Sequence, residues 1–313
     1  MNEPWVNKSI QLKFLMGEVF LFTVKLPALV FNAHFSNLTS DLNEPRLPVE
    51  RFSSKMEAIM IRSHPVDQEL PRLNRLDRTI RYVPAHYQHY YIDLQCTFSE
   101  YLAKFSSKSR STLQKKVRKF AEFSGGEVCW REYRYPEDAE TYYHLAREVS
   151  QKTYQERLLK VGLPDDDEFL REIKDLASRD QFRGYLLFHQ EKPIAYLYCP
   201  IQDNILLYRN LGYDPEFRQW SPGTVLQYVV LERLFSEGKY RMFDFTEGEG
   251  QHKEFFSTGS IQCADIYYLR PTLRNLLLLR VHSGLKTFSS STVKFLDRFG
   301  LKAKIKKLIR SKG

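Results

Sequence analysis

The residues best suited to chemistry in this chain form a short turn, Arg218-Gln219-Trp220-Ser221-Pro222-Gly223. Pro222 suits the first turn of a helix, because it has no N–H to leave unsatisfied and its φ is preset. Gly223 lets the backbone come close to a ligand, and the N–H groups at the start of a helix favour an anion. Arg218 can add a charge-assisted contact to phosphate oxygens. The turn therefore predicts a site for the pyrophosphate of a nucleotide-containing cofactor.

An acidic, glycine-bearing loop further along the chain could transfer protons. Asp244 lies between two phenylalanines in an apolar segment, where a carboxylate needs a partner or a raised pKa. It could equally be a strand-end carboxylate paired with a cation. Glu249 is a candidate base or a solvated loop acid. His252 is a candidate because imidazole titrates near neutrality, although it could also line a substrate site or be exposed.

The segments that must position these residues alternate between strand and helix patterns. Strands are predicted over residues 127–134, 182–190, 193–200, 205–213, 240–246 and 262–269. Helices are predicted from residue 136 beyond 147, over 165–178, from 222 to 237, and around 253–257. Strands with helices between them indicate an α/β or α+β sheet and argue against a helical bundle.

The first half of the chain is rich in strand patterns and shows no phosphate turn. Residues 19–31 are apolar, but Lys25 and Pro27 interrupt them, and they fall short of the roughly 20 residues that span a bilayer. They predict a buried strand pair and not a signal peptide. Residues 97–123 repeat apolar positions at helical spacing, with a break near 106–109. The sequence Ser124-Gly125-Gly126 then predicts the end of this helical region and a domain boundary.

The chain has 313 residues and a net charge of +9, which is concentrated in two segments that contain no acidic residue. The first segment holds Lys104, Lys108, Arg110, Lys115, Lys116, Arg118 and Lys119. The second holds Lys302, Lys304, Lys306, Lys307, Arg310 and Lys312. The first could bind nucleic acid, an anionic substrate or a membrane, or could be a solvated face. The second favours an anionic membrane surface.

Residues 273–312 are predicted as an amphipathic helical tail in which Leu276, Leu277 and Leu279 pack on the body of the protein. The cysteines are Cys96, Cys129, Cys199 and Cys263, and they include no CxxC pair. They are typical of reduced thiols in a cytoplasmic protein, and Cys129 and Cys199 are expected in the core. No metal-binding cluster is visible in the sequence.

The same residues carry a family resemblance. The stretch 209–256 resembles the acyl-CoA site of the GNAT acyltransferases, whose signature maps onto Arg218, Ser221 and Gly223, with Ser221 in place of the first glycine. The segment FDFTEGEGQHKEFF resembles that of bacterial CelD-like and FemAB-like proteins, with His252 where tyrosine is usual. Residues 106–120 resemble the basic helix that precedes the catalytic domain in that branch.

The resemblance implies two GNAT-like lobes of α/β (α+β) build, each with a mixed sheet flanked by helices. Residues 1–123 would form a degenerate lobe with a basic linker helix, residues 124–270 the catalytic domain, and residues 271–313 the basic helical tail. The activity it implies is acyl transfer, most simply acetyl transfer, from acyl-CoA to an amine by direct attack in a ternary complex. The acceptor would be an amino sugar or another polysaccharide or cell-envelope precursor, and no metal would be needed.

The resemblance also implies roles for particular residues. The catalytic candidates are Asp244, Glu249 and His252. The acyl-CoA would be bound by Leu211, Gly212, Tyr213, Arg218, Ser221, Gly223 and Thr224. Arg209 and Lys253 would bind substrate, although Arg209 could instead pair with Asp244. The strand that ends at Tyr213 would separate from its neighbour, and its exposed backbone would bind the pantetheine arm and the acyl oxygen.

Two other hypotheses fit the same sequence. A FemAB-like aminoacyl transferase would use charged tRNA and would give the basic helix a role in tRNA binding, whereas nucleic acid is not an expected partner of an acyl-CoA enzyme. A non-catalytic GNAT-derived scaffold would act in an envelope-synthesis complex. The expected location is the cytoplasm, with peripheral association at the inner membrane face through the basic tail as a further hypothesis.

Overall fold

A computed structural model gives the architecture of residues 5–16, 19–32, 47–53, 55–153, 156 and 162–298, and every structural statement below concerns these residues. The basic segment from Lys302 lies outside them, so its predicted membrane contact stays a prediction. The chain divides into two compact units, residues 1–88 with 261–313 and residues 89–260. None of the helices in the described ranges is both long and apolar enough to cross a lipid bilayer.

The first unit is built on strands. It contains β1 (Trp5–Met16), β2 (Val19–Asn32), β3 (Ala58–Pro65), β4 (Leu73–Arg75), β5 (Ile80–Tyr82) and most of β13 (Gly259–Leu269). Strands β2 and β3 are parallel, whereas β1–β2, β3–β13, β5–β13 and β4–β5 are antiparallel. Residues 19–31 were predicted to form a buried strand pair, and that prediction is wrong, because they form the single strand β2, whose hairpin partner is the preceding strand β1.

The C-terminal helix of this unit, Leu273–Arg298, packs on the β1–β2 face through buried Leu279 and partly buried Leu276. Leu277 was also predicted to pack there, and that prediction is wrong, because its side chain is 63% exposed. The apolar run Leu276–Leu279 covers a full helical turn, so one of its residues must point away from the sheet.

The second unit places helices against a mixed sheet. Its remaining strands are β6 (His86–Asp93), β7 (Trp130–Tyr133), β8 (Phe182–His189), β9 (Lys192–Gln202), β10 (Ile205–Leu207), β11 (Asn210–Tyr213) and β12 (Met242–Asp244). The strand order runs β6-β12-β10-β9-β8-β7, and only β10–β12 is a parallel pair in this set. The architecture confirms the predicted α/β class with a mixed sheet flanked by helices.

The helices of the second unit are α1 (Phe98–Ala103), α2 (Ser107–Phe123), α3 (Ala139–Ser150), α4 (Asp167–Ser178), α5 (Pro222–Glu237) and α6 (Gln251–Phe256). The C-terminal helix of the first unit is α7. Helix α5 is apolar on nearly every side and is buried along most of its length, as expected for a helix in a core. Helices α1 and α2 are separate, which confirms the predicted break between them.

The units differ from the predicted domain boundaries at residues 123 and 270. Phe98, Tyr101, Leu113 and Phe120 of α1 and α2 share one core with Leu231 and Phe235 of α5, so the basic helix belongs to the second unit. Strand β13 pairs with β3 and β5, so it belongs to the first unit. Long-range packing of this kind is invisible in local patterns. That the first unit is a degenerate GNAT lobe stays a prediction.

Candidate active site

The site begins where one predicted strand divides into two. Residues 205–213 read as a continuous strand in sequence, but β10 pairs with both β9 and β12, whereas β11 pairs with β9. The division falls at two consecutive residues. The Tyr208 N–H donates to the carbonyl oxygen of Asp244 at 2.8 Å, and the Arg209 N–H donates to the carbonyl oxygen of Tyr198 at 3.1 Å. Beyond this point β11 diverges from the chain that follows β12.

A cavity of about 700 Å³ occupies the space that this divergence opens. It is lined by Tyr196, Tyr208, Arg209, Asn210, Leu211, Tyr213, Arg218, Ser221, Gly223, Thr224, Thr246, Glu247, Gly250, His252 and Lys253. The lining brings together nine predicted site residues: Arg209, Leu211, Tyr213, Arg218, Ser221, Gly223, Thr224, His252 and Lys253. Three predicted residues, Gly212, Asp244 and Glu249, do not line it.

The predicted phosphate turn forms one wall of this cavity. A 3-10 turn, Pro215–Trp220, leads into Ser221, which has the left-handed conformation φ 53°, ψ 47° and directly precedes α5. Glycine adopts this conformation without steric cost, which explains why a glycine would suit the position that Ser221 occupies. At Gly223 a Cβ would lie 3.0 Å from Leu211 Cδ2, so the absence of a side chain keeps the wall open.

The turn has the properties that an anionic ligand requires. Helix α5 has 16 residues, and its first residues Gly223 and Thr224 line the cavity. Pro222 has no N–H, and the Thr224 and Val225 N–H groups both donate to the Ser221 carbonyl oxygen at 3.0 Å, so the Gly223 N–H is the group at the start of the helix without a partner inside it. The positive end of the helix dipole lies at the same place. Arg218 is exposed and lines the same wall. These groups fit a pyrophosphate.

The basic helix α2 adds cations beside this wall. Phe123 stacks on Trp220 with ring centroids 4.1 Å apart, and the Lys119 ammonium lies 5.2 Å from the centre of the Trp220 ring. Lys116 is close enough to His252 to affect its protonation. Two cations of the helix therefore lie near the turn and His252, and the role of the basic segment stays a prediction.

His252, on α6, is held by a buried polar side chain. Its Nε2 is hydrogen-bonded to Gln227 Oε1 of α5. An amide oxygen only accepts, so Nε2 carries the proton and Nδ1 keeps a lone pair. Burial, together with the charges of Lys116 and Lys253, lowers the pKa of His252 to about 4. The imidazole is therefore neutral at physiological pH and can accept a proton, although it is a weak base.

Lys253 shapes the loop that closes the cavity. Its Nζ donates to the carbonyl oxygen of Glu247 at 2.7 Å and to that of Thr246 at 3.4 Å. Burial lowers its pKa, and the nearby carboxylates of Glu247 and Asp244 act in the opposite direction. Thr246 itself has a positive φ of 57°, and its hydroxyl donates to the Tyr208 carbonyl oxygen at 3.2 Å. Lys253 thus stabilises the loop, and one side of the loop lines the cavity.

Asp244 is buried behind this loop. Its Oδ1 lies 2.5 Å from His89 Nε2 and accepts the Thr246 N–H at 2.7 Å. His89 is buried as well. These partners, and not Arg209, satisfy the carboxylate, and they connect the end of β12 to the start of the loop.

The other two predicted residues outside the lining differ in their surroundings. Gly212 is buried, and a Cβ at that position would overlap the ring of Tyr196, so it permits close packing behind β11. Glu249 is exposed on the loop.

The prediction that Cys129 lies in the core is wrong, because Cys129 is exposed, whereas Cys199 is buried as predicted.

Sequence reasoning missed several residues of the site: Tyr196, Tyr208, Asn210, Thr246, Glu247, Gly250, Gln227 and His89. Glu247 could have been chosen, because it precedes Glu249 in the same acidic loop. Gln227 carried a different signal, since it is a polar residue within an otherwise apolar helix. His89 and Tyr196 come from strands far away in the sequence and had no local signal.

Comparisons with known proteins agree with this architecture. Residues 107–254 match the family described as an acetyltransferase (GNAT) domain. The comparison with curated protein sequences gave no match. Among solved structures, the C-terminal (DUF2156) domain of a protein described as a lysylphosphatidylglycerol synthetase from Agrobacterium fabrum has a TM-score of 0.51 at 8% identity, with 88% of this chain and 87% of that chain covered. At this identity the likeness concerns the fold.

Two further structures resemble the chain less well. FemX has a TM-score of 0.49 at 12% identity, covering 88% of this chain and 90% of that chain. L-PGS from Bacillus licheniformis has a TM-score of 0.47 at 12% identity, covering 83% and 85%. The narrower CelD-like assignment stays a prediction. The matched residues contain α2, the divided strand, the turn before α5 and the loop up to Lys253, so every residue that lines the cavity falls within the match to the acetyltransferase (GNAT) domain.

Proposed function

We propose that the protein is an acyl-CoA-dependent N-acyltransferase that transfers an acyl group, most simply acetyl, to an amine. The acceptor class that we favour is an amino sugar or another saccharide precursor of the cell envelope. The observation that carries the proposal is the cavity between β11 and the 246–253 loop, with the start of α5 as one wall. It joins a site for an anion to an open strand edge.

The residues of this cavity have distinct roles in the proposal. Arg218, Gly223 and Thr224 bind the pyrophosphate of the acyl-CoA. The open backbone edge of β11, at Leu211 and Tyr213, binds the pantetheine arm in the way that an added strand would. Backbone N–H groups of the same edge stabilise the oxyanion that forms on the acyl carbonyl.

The chemistry requires the transfer of one proton. The amine nitrogen attacks the thioester carbonyl, the C–N bond forms and the C–S bond breaks, and the sulfur leaves as thiolate or thiol. His252 accepts the amine proton at Nδ1, directly or through water, because its Nε2–H is committed to Gln227. Glu247 attracts the positively charged form of the acceptor to the same cavity. Asp244 positions the loop and has no direct contact with substrate.

A second candidate is a FemAB-like aminoacyl transferase that uses charged tRNA. The observation in its favour is that Lys116 and Lys119 of α2 lie beside the cavity wall. A tRNA bound along α2 would bring one of its ends to the cavity.

Calorimetric titration with acetyl-CoA, and with total tRNA in parallel, separates the two candidates. Micromolar binding of acetyl-CoA without tRNA binding supports the acyl-CoA enzyme, and a screen of amino-sugar acceptors then tests turnover. tRNA binding that weakens steeply with salt, without CoA binding, supports the aminoacyl transferase. Binding of CoA without turnover on any amine would indicate a scaffold.

A further inference from the structure

The outer face of helix α7 exposes an apolar stripe. Leu273 is 83% exposed, Leu277 is 63% exposed and Val281 is 45% exposed. These residues are spaced four apart, so they lie along one side of the helix over about two turns. The opposite side is already used, because Asn275, Leu279 and His282 are buried. The stripe thus lies outside the hydrophobic core of the first unit.

Arginines border the stripe on both sides. With 3.6 residues per turn, Arg280 lies about 20° to one side of Leu273, and Arg274 lies about 20° to the other side of Val281. Both arginines are exposed. Arg274 has one acidic neighbour, Glu57, with 3.6 Å between Nη1 and Oε2. From Leu273 the helix sequence contains no acidic residue before Asp297.

This arrangement matches an anionic lipid surface. The aliphatic stripe can enter the boundary between headgroups and acyl chains, while flanking arginines keep their charges at the level of the phosphates. Each cation near an anionic surface adds about 1 kcal/mol at low salt. An acidic protein would complement the arginines too, but continuous apolar residues between two cationic borders suit a lipid interface better than a mainly acidic surface.

We infer that α7 docks the protein on anionic membranes through Leu273, Leu277 and Val281, with Arg274 and Arg280 contacting lipid phosphates. The helix lies in the plane of the membrane surface, since its other side remains packed on β1 and β2. This inference does not rest on the proposed acyl transfer. It also differs from an electrostatic contact of the basic tail, because it requires apolar insertion.

The test is co-sedimentation of the full-length protein with vesicles of phosphatidylcholine alone or mixed with phosphatidylglycerol. The wild-type protein should bind the anionic vesicles and not the neutral ones. Leu277→Glu should weaken binding about tenfold or more, because it replaces the exposed leucine that inserts into the membrane with a charge that anionic lipids repel. The matched control is Leu76→Glu, which makes the same change at another exposed leucine of the first unit and should bind as the wild type does.

The double variant Arg274→Gln, Arg280→Gln should bind anionic vesicles more weakly than the wild type. The binding that is left should depend less on the salt concentration. Circular dichroism should show that every variant is folded. Wild-type affinity in Leu277→Glu would overturn the inference, since the basic tail would then account for all binding. A wild-type dimer that Leu277→Glu dissociates, without vesicle binding, would overturn it as well and assign the stripe to a second copy of the chain.

Discussion

The buried side chain of Gln227 in α5 fixes the proton of His252 in α6 on Nε2. The two residues are 25 positions apart in sequence and come from different helices of the second unit. The hydrogen bond determines which imidazole nitrogen keeps a lone pair, and burial keeps the ring neutral.

The first prediction concerns Gln227→Glu. A carboxylate beside the imidazole favours its charged form, so the pKa of His252 should rise from about 4 toward neutrality. A titration of the ring by NMR should show this rise, and the acid limb of the kcat/KM profile should move to higher pH. The control is Gln227→Met, which removes the acceptor without adding charge and should lower kcat without moving the acid limb. An unchanged His252 titration in Gln227→Glu would contradict the contact.

The second prediction concerns stability at acid pH. An unfolded histidine binds its proton near pH 6.5, whereas His252 in the folded protein does so near pH 4. Between these values the unfolded state holds the extra proton, so stability should fall as pH is lowered through this window. The loss from this group is up to about 3 kcal/mol. Urea denaturation at several pH values should show a shallower loss in His252→Gln, whereas His144→Gln, at an exposed site, should behave as the wild type.

Ligand binding at the turn provides the third prediction. Gly223→Asp should abolish acetyl-CoA binding in calorimetry, because it places a side chain and a negative charge at the start of α5. Gly223→Asn has nearly the same volume without the charge and should retain weak binding. Gly223→Ala tests the Cβ alone, which lies 3.0 Å from Leu211 Cδ2. A dissociation constant that is unaltered in Gly223→Asp would remove the turn from the site.

Ser221 provides the fourth prediction. A non-glycine residue in the left-handed region costs about 1–2 kcal/mol, and the greater freedom of glycine in the unfolded chain offsets part of the gain from its replacement. Ser221→Gly should therefore raise the free energy of unfolding by up to about 1 kcal/mol. Ser221→Ala should be nearly neutral, because the serine side chain makes no capping hydrogen bond to α5. Denaturation in which the glycine variant is less stable than the alanine variant would argue against this account.

The fifth prediction separates positioning from direct catalysis. Asp244→Asn weakens the bonds to His89 and to the Thr246 N–H, so it should lower the free energy of unfolding by about 2 kcal/mol as well as the activity. Glu249→Gln, at the exposed loop position, should leave stability unchanged. If Asp244→Asn lost only kcat, with full stability and an unchanged affinity for acetyl-CoA, a direct catalytic role for Asp244 would be favoured.

The sequence predicted best where local chemistry decides the structure. Pro222 marks the start of α5, the acids at 165–168 span the start of α4, and the serines near 106 separate α1 from α2. It failed where the deciding partner is distant. Residues 205–213 alternate like one strand, and only the different partners of β10 and β11 reveal the division. Likewise, nothing local distinguishes exposed Leu277 from buried Leu279.

The same limit applies to the site. The turn and Lys253 follow from residue types at fixed spacing, and they do line the cavity. Asp244 looked catalytic because it is a carboxylate in an apolar strand, but its partner His89 lies 155 residues earlier. Glu247 and Glu249 are equivalent in sequence, and the course of the loop alone determines which of them lines the cavity.

The change of hydrogen-bonding partner between Tyr208 and Arg209 has a consequence for the energetics of ligand entry. Each of these adjacent N–H groups is anchored to a different strand, so the gap beyond them is held apart by the backbone itself. Closing the gap would break main-chain hydrogen bonds. A ligand therefore needs no free energy to open the gap. Binding should therefore proceed with little conformational entropy loss in the protein, and the cleft is preorganised before any substrate arrives.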